Sequence, residues 1–167
     1  MSYYPPEGYR TSGSFAQWNG ADAPEPKCRK YHITAYSNDA DDEHDWTDHA
    51  KAIATVVLPE LRDRRIAHKI ATNQIKYWNF DSDGSTNAGK LITIYMHVRV
   101  QVENPDIMAI DQMLIELSEA RGIRPHRSQP INRHELPSAS PVYEQQVGAS
   151  GFIFGGIEVD TRSPDEV

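Results

Sequence analysis

The segment "RKYHITAYSND", residues 29–39, alternates between polar and apolar side chains over its first seven positions. Its alternate polar positions are Lys30, His32 and Thr34. The positions between them are Tyr31, Ile33 and Ala35. This alternation predicts a half-buried β-strand over residues 29–36, with one face on a core and the other facing solvent. Side chains two positions apart point the same way, so a cation and an imidazole lie on the solvent face.

Two further segments repeat this alternation. "RIAHKIA", residues 65–71, places Lys69 between two alanines on the face opposite Ile66, His68 and Ile70. "KLITIYMHV", residues 90–98, places Thr93 and Tyr95 opposite its isoleucines. If the apolar faces of the three strands share one side, the other side collects Lys30, His32, Thr34, Lys69, Thr93 and Tyr95.

Helical patterns separate these strands. Apolar residues at helical spacing predict one helix over residues 46–63, which Pro59 can bend or shorten. A second helix begins after Asn104, a favourable N-cap, and closes at Gly122. An apolar strand is predicted over residues 151–159. The pattern predicts an α+β single domain with one mainly antiparallel or mixed sheet backed by helices.

The two ends of the chain are expected to lie outside the folded domain. Residues 1–27 are rich in Gly, Pro, Ser and Tyr without a period, which predicts a flexible N-terminal arm. The folded domain is expected over residues 28–160, followed by a C-terminal tail at residues 161–167.

The composition and charge of the chain argue against several classes of protein. The chain has 167 residues, a formal charge of −7 and a pI near 5.4, which argues against a general nucleic-acid binder. Cys28 is the one cysteine, so neither a disulfide framework nor a thiolate metal cluster is expected. No segment approaches the roughly 18 apolar residues of a membrane span. No secretory signal pattern is present, so a cytoplasmic setting is expected, with type III export as the alternative because that signal has no fixed sequence form.

The predicted polar face suits anion binding and proton transfer. Two lysines, a histidine and a tyrosine can hold a phosphate or carboxylate. A lysine among other cations has its pKa lowered, so its neutral amine can act as a base. The alternative is that these lysines only solubilise the sheet, as edge strands commonly require. The remaining histidines have no ligand spacing such as HExxH, so neither a metal nor a cofactor is predicted.

Three motifs carry a family resemblance. "RKYHITA" resembles the Lys-x-His strand of the phosphothreonine lyases found among type III secretion effectors and as N-terminal domains of class III and IV lanthipeptide synthetases. "RIAHKIA" resembles the family's second strand, which ends in a catalytic lysine. "GKLITIY" resembles its Gly-Lys-Phe-x-Thr-x-Tyr strand. The motifs occur in the family's order, and the resemblance spans about residues 28–160.

The resemblance implies metal-independent β-elimination of phosphate from phosphothreonine or phosphoserine in a protein or peptide, leaving a dehydroamino acid. It assigns Lys69 as the base that takes the α-proton and His32 as the acid that protonates the departing phosphate. Lys30 and Tyr95 would hold the phosphate. The implied partner is a phosphorylated protein or peptide, with no nucleic acid, membrane or cofactor.

This sequence departs from the family's pattern mainly at the arginines. Where lanthipeptide lyases read "YRYG", this chain has "FIFGG", residues 152–156, without an arginine. Arg127 or Arg133, in the preceding loop, could match other family arginines or replace the lost one. Loss of a bidentate clamp weakens phosphate binding. The alternative to a lyase is therefore a non-catalytic relative that binds a phosphopeptide or leader peptide.

Two other classes of protein are alternatives. An unrelated α+β interaction protein would carry the basic face by chance. A phosphatase is disfavoured because the sequence has neither a Cys-x5-Arg loop nor a cluster of metal ligands. No kinase or cyclase segment follows, so the expectation is a stand-alone lyase, either an effector or part of a peptide-modifying system.

Overall fold

A computed structural model describes residues 7–13, 15–21, 25–34, 43–71, 90–123 and 145–160, with the backbone alone at residues 12 and 43–48. The predictions for Arg127, Arg133 and the tail at residues 161–167 lie outside the described residues.

The architecture is one antiparallel sheet with two helices. In chain order the elements are β1 (Tyr9–Ser12), β2 (Phe15–Trp18), β3 (Lys27–Thr34), α1 (Glu43–Asp63), β4 (Ala67–Ala71), β5 (Lys90–Met96), α2 (Pro105–Arg121) and β6 (Ile153–Asp160). The six strands lie in the order β1-β2-β4-β5-β3-β6, and every neighbouring pair is antiparallel. The predicted α+β fold class is confirmed.

Both helices pack on one face of the sheet, the helix-side face. α1 contributes a buried stripe from Ala50 to Leu61, and α2 contributes Ile107, Ile110 and Leu114. They meet the apolar positions of the central strands in a single core: Tyr31, Ile33, Ile70, Ile92 and Ile94. Burial of this apolar surface is the main force that holds the layers together.

Local signals set the bounds of α2 as predicted. The Asn104 side chain accepts a hydrogen bond from the backbone N–H of Ile107 at 3.1 Å, which satisfies one of the free donors of the first turn. Gly122 ends the helix with φ of 67°, a left-handed conformation that glycine adopts without a steric penalty. The Asn104 amide also donates to the Tyr31 hydroxyl at 3.1 Å, which ties the helix to the central strand β3.

The N-terminal segment contains two strands that the pattern analysis did not predict. β1 and β2 form a hairpin whose turn includes Gly13 at φ of 60°. β2 then pairs with β4, so the hairpin extends the sheet by two strands. Each strand has four residues, which is too short for an alternation to stand out from the surrounding glycines and prolines. Residues 9–12 and 15–18 are therefore part of the sheet and not of an arm.

The last strand, β6, contains a β-bulge opposite Tyr31. Lys30 pairs with Ile157 and Tyr31 with Gly155, so Gly156 is the additional residue of β6. Its φ is 75°, and a β-carbon there would lie 2.8 Å from the Tyr31 ring. Only glycine fits this close approach of β6 to the Tyr31 ring.

Candidate functional site

The strand register brings four predicted site residues together on the face opposite the helices, here called the polar face. Lys30 pairs with Tyr95, and His32 pairs with Thr93. Thr93 pairs in turn with Lys69 on the other side. Directly paired residues point to the same face of a sheet. Lys30, His32, Lys69 and Tyr95 therefore occupy neighbouring positions, as the sequence predicted.

Strand spacing gives the size of this patch. Neighbouring strands lie about 4.8 Å apart, so the α-carbons of Lys69 and His32 are separated by about 10 Å across Thr93. Lys30 and His32 are two residues apart on β3, which corresponds to about 7 Å. The α-carbons of the four residues therefore span about 10 Å across the strands and about 7 Å along them.

The polar face is less open to solvent than the sequence predicted. His32, Thr34 and Thr93 are buried, whereas Lys30, Lys69 and Tyr95 are half-buried. β3 lies between β5 and β6, so each of its side chains has neighbours on both sides. The position beside His32 on β6 is Phe154, which is itself buried. The expectation of a solvent-facing strand is therefore wrong at His32 and Thr34, because β3 is a central strand with side chains on both flanks.

Two aromatic rings lie near the amine of Lys69. Its Nζ lies 4.3 Å from the centroid of the Phe15 ring and 5.8 Å from that of Tyr95. Attraction between an ammonium and an aromatic face holds the amine in place. Phe15 belongs to β2, so the N-terminal hairpin helps to position the predicted base. Sequence reasoning missed Phe15 because the hairpin itself was not predicted.

The hairpin also brings an arginine to the polar face. Arg10 pairs with Gln17, and Gln17 pairs with Lys69. The Arg10 side chain is exposed and makes no hydrogen bond or ion pair within the part of the chain that the structure describes. Arg10 lies in the segment that was predicted to be an arm, so the sequence pattern did not indicate it as a site residue.

A cavity of about 330 Å³ opens at one end of the polar face, and Tyr95 forms part of its wall. Its lining includes four charged or titratable side chains: Glu25, Lys27, Arg65 and His97. Glu25 Oε2 lies 3.8 Å from His97 Nε2. Cys28 and Ala67 form part of the wall. The cavity thus combines two permanent cations with one carboxylate that has a histidine partner.

The helix-side face holds a separate polar cluster around His68, here called the His68 cluster. The imidazole is fully buried, with Nδ1 2.7 Å from the Ile66 carbonyl and Nε2 2.6 Å from the Tyr9 hydroxyl. If Nδ1 carries the proton and donates it to the carbonyl, Nε2 accepts from Tyr9. Arg62 donates to the Tyr9 oxygen at 3.2 Å, and the Trp18 ring stacks on the imidazole.

Burial is the main cause of the low pKa of His68. It lowers that pKa from 6.5 to about 4, and the positive charge of Arg62 acts in the same direction. Burial also raises the pKa of the Tyr9 hydroxyl. Both groups are therefore neutral near pH 7, which suits the packing of the hairpin on the core.

No group of three or more His, Cys, Asp or Glu side chains suited to a metal ion occurs among the described residues. Within the same residues, neither helix is long and apolar enough to cross a membrane. A scan against models of known protein families gives no match, and a comparison with curated proteins gives none either.

Proposed function

We propose that the protein is a phosphothreonine or phosphoserine lyase that acts on a phosphorylated protein or peptide. The observation that supports this proposal is the meeting of Lys69, His32, Lys30 and Tyr95 on neighbouring positions of one face. These residues come from three separate segments, each of which resembles a motif of the same lyase family. Their functional groups are those that β-elimination of phosphate requires.

In the proposed reaction, the neutral amine of Lys69 takes the proton from the α-carbon of the phosphorylated residue. The electrons of that C–H bond form the double bond between the α- and β-carbons. The bond between the β-carbon and the phosphate oxygen breaks, and the protonated imidazole of His32 gives its proton to that oxygen. The products are a dehydroamino acid and free phosphate, and no water is consumed.

The other two residues would stabilise the developing charge. Lys30 and Tyr95 are paired side by side and can contact the non-bridging phosphate oxygens. Charge and hydrogen bonds that are already in place lower the barrier most where water is excluded. His32 and Thr93 are buried, so the leaving group would depart into a sheltered environment.

Mass spectrometry of phosphothreonine and phosphoserine peptides, incubated with the protein without added metal, tests this proposal. We expect loss of phosphoric acid and an alkene that a thiol can trap. Lys69→Ala should lower the rate by about 100-fold or more, while the Kd of the phosphopeptide changes by only a few-fold. Recovery of the free hydroxyl would identify a phosphatase and overturn the proposal.

One observation favours a second candidate, a module that binds phosphopeptides without turnover. β6 contains no arginine, and its residue beside His32 is Phe154. A binding module would retain phosphopeptides, form no alkene, and lose about as much affinity with Lys69→Ala as with Lys30→Ala. In a lyase, Lys69→Ala would cost less affinity than Lys30→Ala, because Lys69 would act mainly in the chemical step.

A further inference from the structure

The N-terminal hairpin, formed by β1 and β2, is joined to the rest of the sheet by a short ladder. β2 pairs with β4 only from Phe15 to Gln17, and among the described strands β1 pairs with β2 alone. The central strand β3 pairs with β6 over a longer stretch, from Lys27 to Ile33. Segments with short ladders and few buried neighbours open locally at a lower free energy than the core. The hairpin is therefore the most weakly attached part of the described sheet.

Both strands of the hairpin contact the buried imidazole of His68. Tyr9 on β1 places its hydroxyl 2.6 Å from Nε2. Trp18 on β2 stacks on the ring, with the two ring centroids 5.4 Å apart. Because His68 belongs to β4, one side chain of the core sheet holds both hairpin strands.

The neutral imidazole satisfies every polar atom at this contact. Its Nδ1 lies 2.7 Å from the Ile66 carbonyl, an acceptor, so Nδ1 carries the proton and donates it there. Nε2 then accepts the Tyr9 hydroxyl proton. Arg62 donates to the same Tyr9 oxygen at 3.2 Å. The docked hairpin thus matches the uncharged ring.

A protonated imidazole does not fit the same contact. Its Nε2 would donate to the Tyr9 oxygen, and the Tyr9 O–H would then have no acceptor among the described residues. The charged group nearest in effect is Arg62 of α1, a second cation, while β5 contributes the apolar Ile94 and β2 the uncharged Trp18. Within the described residues, no carboxylate lies at ion-pair distance from the ring. A buried charge without a counter-ion is costly.

We propose that protonation of His68 releases the N-terminal hairpin while the two helices and strands β3 to β6 remain folded. Release lets water hydrate the charged ring, which the docked hairpin excludes. Phe15 leaves with the hairpin, so Lys69 loses the ring that lies 4.3 Å from its amine. This effect on the proposed base rests on the proposed function, whereas the release itself does not.

Proton linkage gives the size of the effect. The pKa of His68 is about 4 with the ring buried, against 6.5 for a solvated imidazole, so the released state binds the proton more tightly. Acid therefore favours release, and the opening constant should rise about 20-fold between pH 7 and pH 5. At pH 7 and above the ring is neutral in the docked state, and the hairpin stays in place.

Hydrogen exchange followed by NMR on the full-length protein tests the release. Protection factors, corrected for the pH dependence of intrinsic exchange, are compared for the amides of residues 15–18 and 107–118. We expect the β2 amides to lose about 20-fold in protection from pH 7 to pH 5. They should also stay at least 10-fold less protected than those of α2, because the hairpin opens without the core. Equal protection of both segments, or β2 protection without pH dependence, would overturn the proposal.

Two histidine variants identify the titrating group. His68→Gln cannot gain a proton, so its β2 protection should change less than 3-fold between the two pH values. His97→Gln, which removes an exposed histidine, is the matched control and should retain the 20-fold change. The same pH dependence in both variants would show that another group controls the hairpin and would contradict the proposal.

Tyr9→Phe tests the contact even if His68→Gln fails to dock the hairpin. It removes the hydroxyl that bonds to Nε2 and leaves the aromatic ring in place. The β2 amides should lose about 5-fold or more in protection at pH 7, and α2 should keep its own. Unchanged β2 protection in this variant would show that the imidazole contact does not hold the hairpin.

The two proposals fail separately, because hydrogen exchange needs no substrate. If phosphopeptides lose phosphate but the hairpin keeps its protection at pH 5, the lyase proposal stands and the release proposal is wrong. If the hairpin opens with His68-dependent pH sensitivity but no peptide loses phosphate, the release proposal stands and the lyase proposal is wrong.

Discussion

At the scale of single residues, alternation in three segments was enough to predict which side chains share the polar face. Lys30, His32, Lys69 and Tyr95 lie there as expected, because direct pairing preserves the faces that each strand pattern indicates. The pattern could not predict burial, since the exposure of His32 depends on neighbours from β5 and β6 that are distant in sequence.

His68 should make stability depend on pH. Its folded pKa of about 4 lies below the unfolded value of 6.5, mainly because the ring is buried. The unfolded chain therefore binds a proton first as the pH falls, and the folded state loses stability between pH 6.5 and 4. The loss attributable to this residue is about 3 kcal/mol over that range.

Urea denaturation of the wild type and His68→Gln at pH 7, 6 and 5 measures this effect. The wild type should lose more free energy of unfolding than the variant as the pH falls, because glutamine does not titrate. Parallel curves for the two proteins would show that His68 titrates alike in the folded and unfolded states.

At the scale of elements, the helix signals were more informative than the hairpin signals. Asn104, Pro105 and Gly122 predicted the bounds of α2, because capping and termination depend on local chemistry. The hairpin was missed because its stability comes from pairing with β4 and from Tyr9 and Trp18 packing around His68. Such contacts join segments that are distant in sequence, so the sequence of a four-residue strand gives little indication of them.

The cap of α2 should contribute measurably to stability. Asn104→Ala removes the hydrogen bond to the Ile107 N–H and the contact with the Tyr31 hydroxyl. We expect a loss of about 1–2 kcal/mol in the free energy of unfolding, measured by urea denaturation. Gln112→Ala, on the exposed side of the same helix, is the control and should change stability by less than about 0.5 kcal/mol.

The hairpin should affect chemistry through Phe15. Phe15→Ala removes the ring nearest the Lys69 amine, so the proposed base would be held less firmly. We expect kcat for phosphate elimination to fall by about 10-fold with KM little changed. Thr11→Ala lies on the same hairpin but pairs with Ala16 on the helix-side face. A similar fall in kcat for both variants would indicate a general effect of the hairpin and not of the Phe15 ring.

At the scale of the whole molecule, the hairpin completes one edge of the sheet and covers the His68 cluster. Deletion of residues 1–19 would leave β4 as an edge strand and expose its backbone donors and acceptors. We expect the shortened protein to melt at a lower temperature and to self-associate. Circular dichroism and size-exclusion chromatography check both outcomes, and an unchanged melting temperature with a monomeric profile would contradict this role.

The position of β3 within the sheet has a consequence for protein synthesis. Its neighbours are β5, which begins at residue 90, and β6, which begins at residue 153. β3 ends at residue 34, so 153 − 34 = 119 further residues must be translated before the first residue of β6 exists. At roughly 5–20 residues per second this interval is about 6–24 s, and tunnel transit lengthens it. During that time the strand that carries Lys30 and His32 has an open flank, so faster elongation would shorten the period in which it can pair with the wrong partner.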